Sequence, residues 1–184
     1  MGEAPRCEAC GRFLGTREWR PPYCVELEVW GSDLADVAFG PGDSLLVSGR
    51  FASGWHEEEL VGLDGFDPVQ VMAVRRHGTA AAGSEPYLRV SVARSDIAVD
   101  QERSHFDCDP PTCPACRLSQ ELRSWSGIVL EAPPQEDIFI ARGLPGVRLA
   151  SERFRQFCER RRLSNVLLIP DNEAHGNWPR RPAA

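Results

Sequence analysis

The sequence predicts an α+β fold in which two lobes repeat one another, each with short strands and one or two helices. Three observations carry this expectation. Apolar and polar residues alternate over several short stretches, which is the period of a half-buried strand. Two serines each open a run with apolar residues at helical spacing. Two Cys-x-x-Cys units stand 106 positions apart, one at the head of each half. The expected halves are residues 1–106 and 107–184, packed together as one compact unit.

In chain order, Tyr23 to Trp30 turns Val25, Leu27 and Val29 inward and Glu26 and Glu28 outward, which predicts a strand with Cys24 at the edge of the core. Gly40-Pro41-Gly42-Asp43 is a turn, followed by a short strand over Ser44-Leu45-Leu46-Val47. Ser48 then caps a helix that runs to about Leu60. Residues 62–67 break it, residues 69–74 read as a strand, and residues 78–85 form a small-residue loop. Residues 87–92 alternate again as a strand, and residues 107–112 lead into the second cysteine pair. Past that pair, residues 127–130 and 137–140 are strand candidates, and residues 143–146 are a turn. Ser151 opens a helix to about Leu163 that buries Phe154, Phe157 and Cys158 at i, i+3 and i+4. Residues 166–169 read as an apolar strand closed by Pro170. Both halves thus run from a cysteine pair through strands to a Ser-x-Arg-Phe helix and an apolar strand. The serines are 103 positions apart, close to the offset of the cysteine pairs, and this agreement predicts an internal pseudo-repeat. The competing reading is that Ser-x-Arg-Phe is a common way to open a helix.

Four of the seven cysteines fall in Cys7-Glu8-Ala9-Cys10-Gly11 and Cys113-Pro114-Ala115-Cys116-Arg117. Two residues between thiolates let one tight turn present both sulfurs to one ion, and a left-handed residue at Gly11 points backbone N–H groups at sulfur. Two such turns facing each other predict one structural zinc per chain, held by Cys7, Cys10, Cys113 and Cys116 and clasping the two lobes. The 102 residues between the pairs are no obstacle. Lengthening a closed loop from about 18 residues to that span adds only about 1.5 kcal/mol. Structural zinc supplies about 10–16 kcal/mol. The alternatives are two unrelated thiol pairs, a redox pair, or Cys108 in place of one ligand. A redox pair sits between a strand and a helix N-terminus. Cys7 has only six residues before it, and Cys113 follows the stiff Asp109-Pro110-Pro111.

Composition narrows the function classes. Arginine supplies all 21 basic residues against 27 acidic ones, and the net charge of −6 argues against a general nucleic-acid binder. No apolar run approaches the roughly 18–20 residues of a membrane-spanning helix. Met1-Gly2-Glu3-Ala4-Pro5-Arg6 lacks the apolar stretch of an export signal, so the expectation is a cytoplasmic protein with reduced thiols. No phosphate-binding loop, nucleophile elbow or His-Glu-x-x-His helix occurs, which leads to the expectation of a non-enzymatic protein. His56, His77, His105 and His175 have no partner at ligand spacing. Glu57-Glu58-Glu59 reads as a solvated helix face, and so does the cluster of Arg153, Arg155, Arg160, Arg161 and Arg162, which otherwise suits an acidic partner.

The N-terminal Cys7-Glu8-Ala9-Cys10-Gly11, the Tyr23-Cys24-Val25-Glu26-Leu27 strand, and Pro110-Pro111-Thr112-Cys113-Pro114-Ala115-Cys116 together resemble the double-CxxCG-motif proteins known mainly from myxobacteria. The Asp137-Ile138-Phe139 and Ser151-Glu152-Arg153-Phe154 segments are similar to those of the same group and of related immunity families. The resemblance implies an immunity protein that binds and neutralises a cognate toxin protein, with no motif to define the contact surface. One departure is Arg117, which stands where the second unit of the family has glycine. The other classes that the residues leave open are a zinc-ribbon module of nucleic-acid machinery and a Cys-x-x-Cys redox protein.

Overall fold

A computed structural model describes residues 1–29, 33–76, 79–81 (backbone only) and 86–177. In it, β1 (Cys24–Val29), β2 (Val37–Phe39), β3 (Leu45–Ser48), β4 (Leu63–Arg76), β5 (Thr79–Ala81) and β6 (Tyr87–Ala98) precede the second cysteine pair, with α1 (Gly49–Glu57) between β3 and β4. β7 (Asp107–Cys108), β8 (Leu122–Ser126), β9 (Ile138–Arg142), β10 (Leu149–Ala150), α2 (Glu152–Arg161) and β11 (His175–Asn177) follow. The architecture is mixed α+β.

The large sheet has the order β1-β4-β6-β3-β2, with β5 on β4, β9 on β6 and β10 on β9. Its long strands change partners along their length. Residues 63–69 of β4 pair antiparallel with β6, and residues 70–76 pair parallel with β1. β6 continues past β3 and β4 to take β9 in parallel at Ala93 and Arg94, so strands from both halves share one sheet. A small sheet, β11-β8-β7, lies apart.

The two helices bury their aromatic faces together over the large sheet. The rings of Phe51 and Phe157 meet edge-on at 5.5 Å between centroids, and Trp55 and Phe154 do so at 6.1 Å. Val47, Val90, Val92, Ile138 and Ile140 form the sheet side of that core. Aromatic side chains carry the largest apolar area per residue, so four such rings dominate its burial.

One set of contacts occurs twice. The Ser48 side chain accepts a hydrogen bond from the Phe51 N–H and caps α1, and Ser151 does the same for Phe154 and α2. The Ser48 hydroxyl donates to Asp36 at 2.8 Å, and the Ser151 hydroxyl donates to Asp137 at 2.8 Å. Arg50 pairs with Asp36, and Arg153 with Asp137. Both aspartates are buried and stand one residue before a strand, β2 or β9. The strands agree as well: Ala38 faces Leu46 across β2 and β3, and Phe139 faces Leu149 across β9 and β10.

Several expected elements take a different form. The expected strand to Trp30 is observed to Val29, because Trp30 lies outside the described residues, and most of the 78–85 loop does too. Cys24 lies on the exposed side of β1 with Glu26 and Glu28, not at the core's edge. Residues 62–67, expected to break the helix, lie past its end at Glu57, and all but Gly62 belong to β4. Gly65 and Phe66 take positive φ angles of 105° and 54°, which makes a bulge through which β4 runs on. Both helices stop earlier than expected, because Glu59 and Arg162 turn left-handed and the Leu60 and Leu163 N–H groups bond back to Trp55 and Cys158. Residues 127–130 form no strand; Gly127 turns the chain at φ 74° and β8 lies just before it. Residues 166–169 are apolar but pair with no strand among the described residues.

Candidate metal centre

Each cysteine pair is a tight turn closed by its own backbone. The Gly11 N–H donates to the Cys7 carbonyl at 2.7 Å, and the Arg117 N–H donates to the Cys113 carbonyl at 2.9 Å. Both residues are left-handed, Gly11 at φ 73° and Arg117 at φ 59°. The turn geometry of the first unit is therefore met in the second without its glycine. The Cys7 N–H donates to Arg12 at 2.8 Å, so a hairpin-like bend returns the chain beside itself.

The two turns face each other. Cys7 Sγ lies 3.9 Å from Cys113 Sγ and Cys10 Sγ lies 3.8 Å from Cys116 Sγ. All four sulfurs fall within 4.8 Å of one another. Four sulfurs placed about 2.3 Å from a zinc ion form a tetrahedron with edges of about 3.8 Å. The donor set therefore fits a metal ion, and its four thiols are free rather than joined as disulfides. Soft thiolates without oxygen or imidazole ligands select zinc or another thiophilic metal. With all four positions taken by protein sulfur, such a site is closed and serves structure.

Crowding splits the acidity of the thiols. The backbone N–H of Cys116, then that of Ala115, and the neighbouring Cys10 and Cys116 thiols draw Cys113 down to about 7 against the effect of burial. For Cys10, the backbone N–H of Arg12 acts downward. Burial and the hydrogen bonds with Cys113, Cys7 and Cys116 outweigh it and push the thiol up to about 11. A bound cation favours the thiolate at every position, so its binding expels protons from this cluster.

Side chains from the body of the protein fix both turns. Arg12 reaches across to donate to the carbonyls of Leu118 and Ser119, each at 2.9 Å. Leu14 and Leu118 pack against the buried Cys7, Cys113 and Cys116. At the end of β9, Arg142 donates to the Ala115 carbonyl at 3.0 Å and the Gly143 N–H donates to Cys116 at 3.0 Å. From β6, Arg94 donates to the Leu14 carbonyl at 3.3 Å. The paired strands β6 and β9 thus hold one turn each. Sequence reasoning missed these arginines, because each acts through a backbone carbonyl distant in the chain.

The remaining cysteines stand apart from the cluster. Cys108 lies in β7 opposite Leu122, and Cys158 sits in the helical core, where burial pushes its thiol up to about 12. His77 lies outside the described residues; His56, His105 and His175 are on the surface and join no metal-binding group. The acidic and basic runs are not independent solvated faces. Arg160 and Arg161 pair with Glu58, Arg161 also pairs with Glu57, and Arg155 is held by Glu152 and Glu159.

Fold and site together define an α+β protein with a four-cysteine cluster of the size that holds a metal ion. In comparison with known proteins, the chain matches no family model and no curated sequence.

Proposed function

We propose that this protein is a non-enzymatic immunity protein: a two-lobe pseudo-repeat clasped by one structural zinc, which binds and neutralises a cognate bacterial toxin in the cytoplasm. The observation that carries the reading is the closure of Cys7, Cys10, Cys113 and Cys116 into one tetrahedral-sized set from turns 106 positions apart. These residues are among those on which the double-CxxCG resemblance rests. A metal at that point ties the starts of the two halves together and leaves the rest of the surface to recognition. Capture of one partner demands such a firm body, since a pre-ordered surface loses little freedom on binding. Specificity then comes from shape and charge matched to that partner.

The alternative of a nucleic-acid module needs a free basic face. Arg153, Arg155, Arg160 and Arg161 are each engaged by carboxylates of this chain, which supports a protein partner over phosphate. The deciding experiment expresses the product of the gene beside this protein's own, as the candidate toxin, alone and together with this protein. Cells carrying both survive, and cells carrying the toxin alone do not; equal survival in the two cultures overturns the proposal.

A further inference from the structure

The duplicated contacts expose an unequal feature. In the first half, β3, α1 and β4 form a strand-helix-strand unit, and β6 lies between the two strands, antiparallel to both. In the second half, β10 and α2 lead in the same way into residues 166–170. Here the middle place holds no strand. β10 takes β9 on one edge, and among the described residues no strand takes the other.

Residues 166–169 form no backbone hydrogen bond among the described residues. Leu167 is 85% exposed and Ile169 59% exposed, although the stretch has strand composition. This segment, β10 and residues 128–134 together wall a groove of about 1130 Å³, lined by Leu149, Ala150, Leu167 and Ile169 among others. Trp125 and Arg148 also line it, and each buries one donor, the indole N–H and Nε, without a hydrogen-bond partner among the described residues. Buried donors without acceptors are rare in finished structures. An unpaired edge, exposed apolar side chains and unused donors thus coincide at the place where the first half seats β6.

We infer that this groove is a strand-acceptor site: an extended segment of the partner protein enters between β10 and residues 166–170 and completes the second half as β6 completes the first. The occupant's chemistry follows from β6, in which Leu88, Val90 and Val92 at alternate positions pack on the helical core and Tyr87 is buried on the opposite face. The partner segment is therefore an edge strand with apolar residues at alternate positions, running antiparallel to β10. By the register of Ser48 with Tyr87, its large buried residue lies opposite Ser151. Main-chain hydrogen bonds on both sides supply affinity, and the side-chain pockets supply selectivity. That the partner is a toxin rests on the proposed immunity function; the groove's preference for a strand does not.

The test uses the full-length, metal-loaded protein and two probes, namely the product of the gene beside its own, as the candidate toxin, and a synthetic peptide with the β6 sequence Tyr-Leu-Arg-Val-Ser-Val-Ala-Arg. Hydrogen exchange is followed at residues 148–150 and 166–169, and affinity is measured for the intact chain and for Leu167→Asp with Ile169→Asp. Both substituted side chains are exposed, so the variant folds. The expected result is slowed exchange in both segments with either probe, and at least a tenfold loss of affinity in the variant. Toxin that binds and is neutralised without slowing exchange there overturns the groove and leaves the immunity function standing. Peptide that protects both segments while the toxin neither binds nor is neutralised supports the groove and removes the immunity function. If neither probe slows exchange or feels the substitutions, the strand-acceptor site is wrong.

Discussion

Arg50 and Arg153 cap each other's helices. Arg50, at the start of α1, donates to the Arg161 carbonyl at 2.6 Å and also reaches that of Arg162, at the end of α2. Arg153, at the start of α2, donates to the Glu58 and Glu59 carbonyls at the end of α1. A helix end leaves its last carbonyls without partners and carries partial negative charge, so a guanidinium there satisfies both needs. Each arginine is oriented by a buried aspartate, Asp36 or Asp137.

Truncating either arginine removes several charge-assisted bonds and strips a buried carboxylate of its cation. Both guanidinium groups are about half exposed, which screens the loss. Arg50→Met and Arg153→Met are each expected to cost about 1–3 kcal/mol in denaturant unfolding, in similar measure. A change below about 0.5 kcal/mol in either would show that the reciprocal caps carry no weight.

Asp36 gives a prediction about pH. Burial raises its carboxyl, but the Ser164 backbone N–H, the Ser48 hydroxyl, Arg50 and the Ser164 hydroxyl outweigh burial and hold it below the usual 3.8. A carboxyl with a lowered folded value contributes its full stability above the unfolded value. As pH falls below about 4, the unfolded chain takes up a proton that the folded chain still refuses, and the contribution is lost. Acid unfolding of the parent therefore steepens in that range. Asp36→Asn is less stable at pH 7 and shows a flatter acid limb; parallel curves for the two proteins would refute the assignment.

The cysteine cluster and the helix starts were legible in the sequence because their causes are local. A Cys-x-x-Cys turn and a serine three residues before an N–H need only their own neighbours, and both Ser48 and Ser151 cap as expected. Asp36 and Asp137 were missed, although each directly precedes a short apolar strand and stands ahead of a Ser-x-Arg-Phe helix. Their roles come from groups that are not chain neighbours, such as Ser164 on Asp36, 128 positions away, and Val61 on Asp137, 76 positions away, and no local pattern records such a bond. Residues 166–170 fail in the opposite sense. Their composition is that of a strand, but a strand needs a hydrogen-bonded neighbour, and among the described residues none pairs with them.

The metal centre makes its own prediction. The purified protein is expected to hold about one zinc per chain, and Cys7→Ser or Cys113→Ser to lose it with several kcal/mol of stability, since binding and folding are one process here. The turns discriminate metal loss from backbone strain. A methyl group at Gly11 meets nothing within 4 Å, so Gly11→Ala keeps its metal and costs about 1 kcal/mol, from the left-handed φ of 73° alone. Arg117→Gly relieves that same kind of strain but forfeits the ion pair with Glu131 at 2.6 Å, leaving stability within about 1 kcal/mol of the parent. Metal analysis and thermal melting read both effects. Full zinc content and unchanged melting in both serine variants would overturn the clasp.

Gly62 sits where the chain leaves α1 for β4, and its φ of 112° lies where other residues are strained. A methyl group there would overlap the carbonyl oxygen of Ile138, at the start of β9. On either side of this glycine, the Val61 N–H donates to the Asp137 carboxylate at 3.0 Å and the Ala93 N–H donates to the Gly62 carbonyl at 2.9 Å. The backbone cannot retreat without breaking the bonds that hold β4, β6 and β9 together. Asn165, at the matching place after α2, also takes a positive φ, 60°, but carries a side chain that donates to Val37 at 2.7 Å. Gly62→Ala is therefore expected to cost about 3 kcal/mol or more, while Asn165→Gly costs about 1 kcal/mol through its lost hydrogen bond. Melting temperatures of the two variants check this ordering, and a Gly62→Ala protein as stable as the parent would mean that β9 does not approach α1's exit so closely.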